Sequence, residues 1–258
     1  MGRNLAIMVP LLLVMASMAG CLELDTDGPS IDLVVSFNLT NGTLVEYHEE
    51  GEYKGQDNVS LQFDFAGTTS TGNLQSFHVM SPGLLEEELV VSVTQGTLVT
   101  VNFSHHGLHE VRLWASDDTS HEAPILTLTV RIDWRLEWRE SATNEPLTLS
   151  FDTRPYGESP PPTHLLVEST VENPALIENL GGGQDVEITW GLYDNTDSAC
   201  QSQPGKVKEG ESSTWKTVHF KPVDEHKLRI EYVSGQDTVN VNQQVSLEYE
   251  VLETPPNA

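Results

Sequence analysis

The chain has 258 residues, 38% of them hydrophobic, and sets thirteen Lys and Arg against thirty-nine Asp and Glu for a formal charge of −26. So acidic a chain is repelled by nucleic acid, whose binding rests on neutralising phosphates with Lys and Arg, and that class of partner is excluded. Only two cysteines occur, so disulfides do not hold the fold together and apolar burial must.

In chain order, Arg3 comes first, then an apolar run from Leu5 to Met15, then the small-residue sequence Met18-Ala19-Gly20 and Cys21. A charged start, a greasy middle and a small-residue end describe a secretory signal over residues 1–20. With Cys21 placed just after it, the segment resembles a prokaryotic lipoprotein signal, its lipobox being Met18-Ala19-Gly20-Cys21. The resemblance implies cleavage after Gly20, lipid on Cys21, and anchorage to the outer face of the cytoplasmic membrane, with residues 21–30 as an acidic tether. Two acyl chains hold a protein stably where one does so only marginally. The alternative is an uncleaved N-terminal anchor, although the run is short for a span and contains Pro10. Both readings put the remainder outside the cytoplasm, at the cell surface. The acidic surface suits solubility in salty water, or else a basic partner. If Cys21 carries lipid, Cys200 has no partner within the chain, which leaves an intermolecular bridge or a plain thiol.

Four N-x-S/T sequons start at Asn38, Asn41, Asn58 and Asn102. Asn102 lies between inward-facing Val101 and Phe103, so it should face out and be open to glycosylation. Glu86 to Glu88 is the one place where a helical turn is expected; no amphipathic helix is evident elsewhere.

The chain then repeats itself at an offset of 117, without gaps. Thr97, Thr100, Val101, Phe103, His109 and Arg112 recur as Thr214, Thr217, Val218, Phe220, His226 and Arg229. Each copy alternates with period two: His109, Val111 and Leu113 against Glu110, Arg112 and Trp114, then His226, Leu228 and Ile230 against Lys227, Arg229 and Glu231. Such alternation marks half-buried strands. Turn clusters at Asn41-Gly42, Ser81-Pro82-Gly83, Asp117-Asp118, Gly181-Gly182-Gly183 and Ser234-Gly235 divide the runs. Short strands, regular turns and units of roughly a hundred residues predict an all-β protein of two tandem β-sandwich domains. The pattern T-V-x-F, then G-x-H-x-V-x-L, then an alternating strand resembles the last three strands of immunoglobulin-like domains, PKD domains most closely. Gly107, His109, Val111 and Leu113 occupy the G-x-Y-x-V places; the second copy has Asp224 for Gly107 and keeps His226. The W-D-F-G-D-G region of PKD domains is not found.

The expected boundaries are 31–133 for the first sandwich, 134–253 for the second and 254–258 for a tail. Leu126, Leu128, Val130, Ile132, Trp134, Leu136 and Trp138 form one unbroken apolar series across the joint, so a stiff rod is expected with Trp134 near its middle. Pro155 to Pro162 is then a loop of the second domain; the competing reading makes it the linker.

Two readings attach to His105, His106 and His109. As H-H-x-x-H they are candidate ligands for zinc or copper. Alternatively His109, recurring as His226 without its neighbours, takes the place of the tyrosine of a tyrosine corner and bonds back to the backbone. Arg112 and Arg229, repeated on the outward face, are either paired with neighbouring acids or a repeated partner contact. No G-x-S-x-G, H-E-x-x-H or phosphate-binding glycine loop occurs, and no enzyme or cofactor is expected. The expectation is a lipid-anchored cell-surface binding, adhesion or scaffold protein with a protein or glycan partner. The alternatives are an extracellular metal-binding protein using the histidine cluster and an accessory subunit of an envelope complex. Trp114, Trp190, Trp215 and Tyr156 are candidate contact aromatics, with Trp190 better suited to the core.

Overall fold

A computed structural model describes residues 30–175, 183–222, 224–236 and 238–257. The signal segment, Cys21 and nearly all of the tether lie outside the described residues, which contain seventeen strands and no helix. The all-β expectation holds. The turn expected at Glu86–Glu88 falls earlier, where the amides of Leu84 and Leu85 both donate to the Ser81 carbonyl. Pro82-Gly83 sets that turn, and the acids that follow it do not continue it.

In the N-terminal half, β1 (Ile31–Asp32) pairs with β5 (Thr69–Ser70), and β4 (Val59–Asp64) pairs with β8 (Leu98–Phe103). Across the core lies a sheet of β10 (Leu126–Thr143), β9 (Gly107–Asp117), β6 (Leu74–Met80) and β7 (Leu89–Ser92), in that order. Period-two alternation explains why these segments are strands. Val99, Val101 and Phe103 of β8 and Val111 and Leu113 of β9 are buried in one core, while Glu110 and Arg112 stay outside. Each such side chain contributes about 1.5–3 kcal/mol through burial.

In the C-terminal half, β11 (Leu149–Asp152), β16 (Glu225–Ser234), β13 (Val186–Asp194) and β14 (Ala199–Val207) form one sheet in that order. Opposite it run β15 (Ser212–Phe220), β12 (His164–Glu172), β17 (Val239–Glu248) and the C-terminal part of β10. Trp190, in the middle of β13, is buried, as its setting led one to expect.

The repeat is carried element for element: β8, β9 and the first part of β10 fall on β15, β16 and β17 at the offset of 117. Gly107 and Asp224, at equivalent places, both have positive φ, 139° and 65°. Pairing is not repeated. The first part of β10 pairs with β9 from Leu126 to Ile132. Its counterpart β17 leaves β16 and inserts between β12 and β10 in the other sheet. The two copies of the repeat therefore end in different strand pairings. Alternation fixes which face of a strand is buried but not which neighbour it takes.

The joint is a strand. β10 spans 18 residues without a break. Its first part bonds to β9, and from Trp134 onward it bonds to β17. β2 (Asn41–Glu49) runs parallel to β10 from Arg131 to Arg139 and so crosses the expected boundary at 133, with β3 (Glu52–Asp57) outside it. A single nine-stranded sheet results. Pro155 to Pro162 lies in the loop between β11 and β12 and is not a linker between the halves.

Residues 254–257, expected as a tail, fold back on the first half. Thr254 bonds to Thr129 and Thr40, and the Asn257 side chain bonds to the backbone of Val35 and Phe37. A short polar stretch carries no periodicity that would announce such docking.

Candidate functional site at the joint

Where the halves meet, a cleft of about 390 Å³ opens, lined in part by Glu46, His48, His106, Trp134, Phe151 and Asp152. Four pieces of backbone place these groups. β2 brings Glu46 and His48, the β8–β9 turn brings His105 and His106, β10 brings Trp134, and β11 brings Phe151. Alternation turns Trp134 and Trp138 to the same side of β10.

The polar groups of the cleft are tied to one another. The Trp134 indole donates to Glu46 at 3.3 Å, and the other Glu46 oxygen lies 2.6 Å from His48 Nε2. His48 stacks on Trp138 at 5.7 Å, whose indole donates to buried Glu140 at 2.7 Å. His106 Nδ1 meets the Tyr249 hydroxyl at 2.6 Å. Burial, with help from His109, pushes the His106 imidazole down to about 4, so it is neutral at ordinary pH. Burial and the charge of Asp133 push the Tyr249 phenol up, so it keeps its proton.

The loop after β11 packs on the β8–β9 turn. The Leu108 amide donates to Ser159 Oγ at 2.7 Å, and the His105 ring stacks on Tyr156 at 4.1 Å. Gly107 permits this approach: a Cβ there would lie 3.0 Å from Ser159 Oγ, at a φ that other residues rarely adopt. Tyr156 remains half exposed and lines a different cleft, of about 500 Å³, with Leu108, Glu110, Arg112 and Pro82.

The H-H-x-x-H residues do not converge on one point. His105 faces Tyr156 and His106 faces Tyr249, while His109 Nε2 bonds to the His105 carbonyl at 2.9 Å. The His109 bond reaches back four residues along the backbone. Its counterpart His226 makes no equally close bond: its Nδ1 lies 3.4 Å from the Asp224 carbonyl.

Arg112 pairs with Glu110 on its own strand at 2.6 Å. Arg229 instead pairs with Asp197 and lies over the Tyr193 ring, 4.6 Å from its centroid. The two repeated arginines thus have unlike surroundings. Among the sequon residues, Asn38, Asn58 and Asn102 are exposed, Asn102 as its place in β8 requires. The Asn41 amide is engaged with Glu253 at 3.0 Å. Trp114 is half-buried and stacked on His78, and Trp215 is buried.

No protein-family model matches the chain, and no curated protein matches it. Among solved structures, it is similar to a carbohydrate-binding module of the β-sandwich superfamily, at 9% identity and a TM-score of 0.31, over 85% of this chain and 97% of that one. It is similar also to a two-domain protein of unknown function from Bacteroides fragilis, at 9% identity and a TM-score of 0.24, over 96% of this chain and 100% of that one. A SusE-like protein matches at 12% identity and a TM-score of 0.20, over 80% and 95% of the two chains. These likenesses are distant and say nothing of ligand or activity.

Proposed function

We propose that this chain is an exported, lipid-anchored binding or scaffold protein without catalytic activity, built as two sandwich halves, and that it takes its ligand in the cleft at the joint. The observation that supports this most is the make-up of the cleft. Trp134 and Phe151, each 6% exposed, line it with His48 beside Glu46, Asp152 and neutral His106. Aromatic surface with a few convergent polar groups is how small-ligand sites are generally built. Flat apolar rings flanked by acceptors fit a glycan, whose apolar ring faces and hydroxyls alternate in the same way. The strand through the joint keeps the two walls at a fixed separation, and a preorganised wall binds with less ordering cost.

The chemistry present favours binding over turnover. His106 is held neutral and bonded to a phenol that does not ionise near neutral pH. Glu46 is already shared between an indole and an imidazole.

Glycan arrays probed with the full chain test this reading, followed by titration of the hits. Glycan binding that weakens at least about tenfold in His48→Ala or Asp152→Ala, with unchanged melting, is expected for contacts of this kind. Absence of glycan binding, or binding indifferent to both substitutions, contradicts it.

A further inference from the structure

Cys200 at the start of β14, His219 near the end of β15 and His226 at the start of β16 meet at one end of the C-terminal half. One potential ligand atom from each lies within 4.8 Å of the others. Among the described residues this is the one group of three such side chains that converges. His226 is buried, while Cys200 and His219 are half-buried, so the cluster is held on the inside and reachable from outside. The His219 and His226 rings stand 5.3 Å apart at 60° to each other, and Phe151 stacks on His226 at 6.0 Å.

We propose that Cys200, His219 and His226 bind a zinc ion, with the fourth position left to water or a partner's ligand. Thiolate and imidazole are the donors zinc prefers, and three protein ligands with one open place are a familiar arrangement for it. Ligand atoms of a tetrahedral site stand about 3.3–3.6 Å apart, from bonds of roughly 2.0–2.3 Å. Small side-chain rotations close 4.8 Å to that distance. His226 Nδ1 faces the Asp224 carbonyl at 3.4 Å, which leaves Nε2 for the metal. A ligating imidazole usually anchors its other nitrogen in this way. Asp194 pairs with His226 across the β13–β16 ladder and adds negative charge beside both Cys200 and His226.

The repeat strengthens the assignment. In the first copy the residue equivalent to His219 is Asn102, and the equivalent of His226, His109, is spent on a backbone bond at 2.9 Å. The second copy has put the same histidine to a different use, beside donors that the first copy lacks. The cluster touches the joint cleft through Phe151, but its ligand atoms come from none of the residues that line the cleft, so a metal titration reads it without reference to glycan binding.

The full chain, reduced and freed of metal with a chelator, is titrated with Zn²⁺ by calorimetry. Co²⁺ is added in parallel to read the thiolate-to-metal absorption. About one equivalent is expected. Binding should weaken by roughly 10–100-fold or more in Cys200→Ser and in His219→Gln. The thiolate band should vanish in Cys200→Ser and persist in His105→Gln. Because His219 and Cys200 are only half-buried, both variants should fold, as circular dichroism will show. Stoichiometry near zero, unchanged affinity in Cys200→Ser, or loss of binding in His105→Gln overturns the proposal.

Discussion

Glu253 accepts hydrogen bonds from Nε and Nη2 of Arg131, at 3.0 and 3.1 Å, across 122 residues of chain. Arg131 lies on β10 just before the joint and also pairs with Asp133. The same Glu253 carboxylate accepts from Asn41 at 3.0 Å. One residue near the C-terminus thus clips β10 and β2 together beside the joint.

That clip predicts a pH-dependent loss of stability on substitution. Burial works to raise the Glu253 carboxyl, but the hydrogen bonds from Arg131 and Asn41 and the Arg131 charge outweigh it, and the group is held below the ordinary glutamate range. A carboxyl depressed in the folded state contributes stability above its unfolded pKa, and the contribution fades as pH falls through the folded value. Glu253→Ala should therefore cost about 2 kcal/mol at pH 7. Urea unfolding at stepped pH should show the gap to the wild type closing below about pH 4.

His106 predicts acid sensitivity from a second direction. Its folded value of about 4 lies below the ordinary 6.5 because burial penalises the imidazolium. The folded state thus refuses a proton that the unfolded chain accepts. Stability from this group is complete above about pH 6.5 and is lost on the way down to about 4, up to about 3 kcal/mol. His106→Gln should flatten that stretch of the stability curve. An unchanged slope would show the imidazole to be solvated.

At Gly107 the backbone conformation and the contact with Ser159 act together. Gly107→Ala should cost about 1–3 kcal/mol. It should also raise hydrogen exchange at the Leu108 amide, whose acceptor is Ser159 Oγ. A thermal melt and an exchange series measure both.

Much of the fold was legible in the residues. Strict alternation marked β9, β10, β16 and the buried faces of all three, because a strand with one wet face must repeat every second residue. The offset of 117 found β8, β9 and the start of β10 again as β15, β16 and β17, and the apolar series through Trp134 found the continuous joint. What alternation could not supply was partner choice: β17 alternates just as its counterpart does, yet pairs with β12 and β10 and not with β16. The cleft escaped for a related reason. Glu46, His106, Trp134 and Phe151 come from four separate segments, and no spacing links them. Cys200, His219 and His226 are likewise drawn from three strands, so the histidines that stood side by side in sequence drew attention away from those that meet in space. His226 was visible as a repeated residue, and the departure of Asn102 from His219 was the one hint that its role had changed.

The cleft exists only if its two walls keep their separation, which requires the joint to be one rigid strand-built unit. Spin labels at the exposed positions Val90 and Val233, introduced as Val90→Cys and Val233→Cys with Cys21→Ser and Cys200→Ser, report that separation by electron–electron resonance. A single narrow distance peak is predicted, unchanged from low to high salt. A broad or multiple-peaked distribution would mean that the halves move independently, and the cleft would then be no binding site.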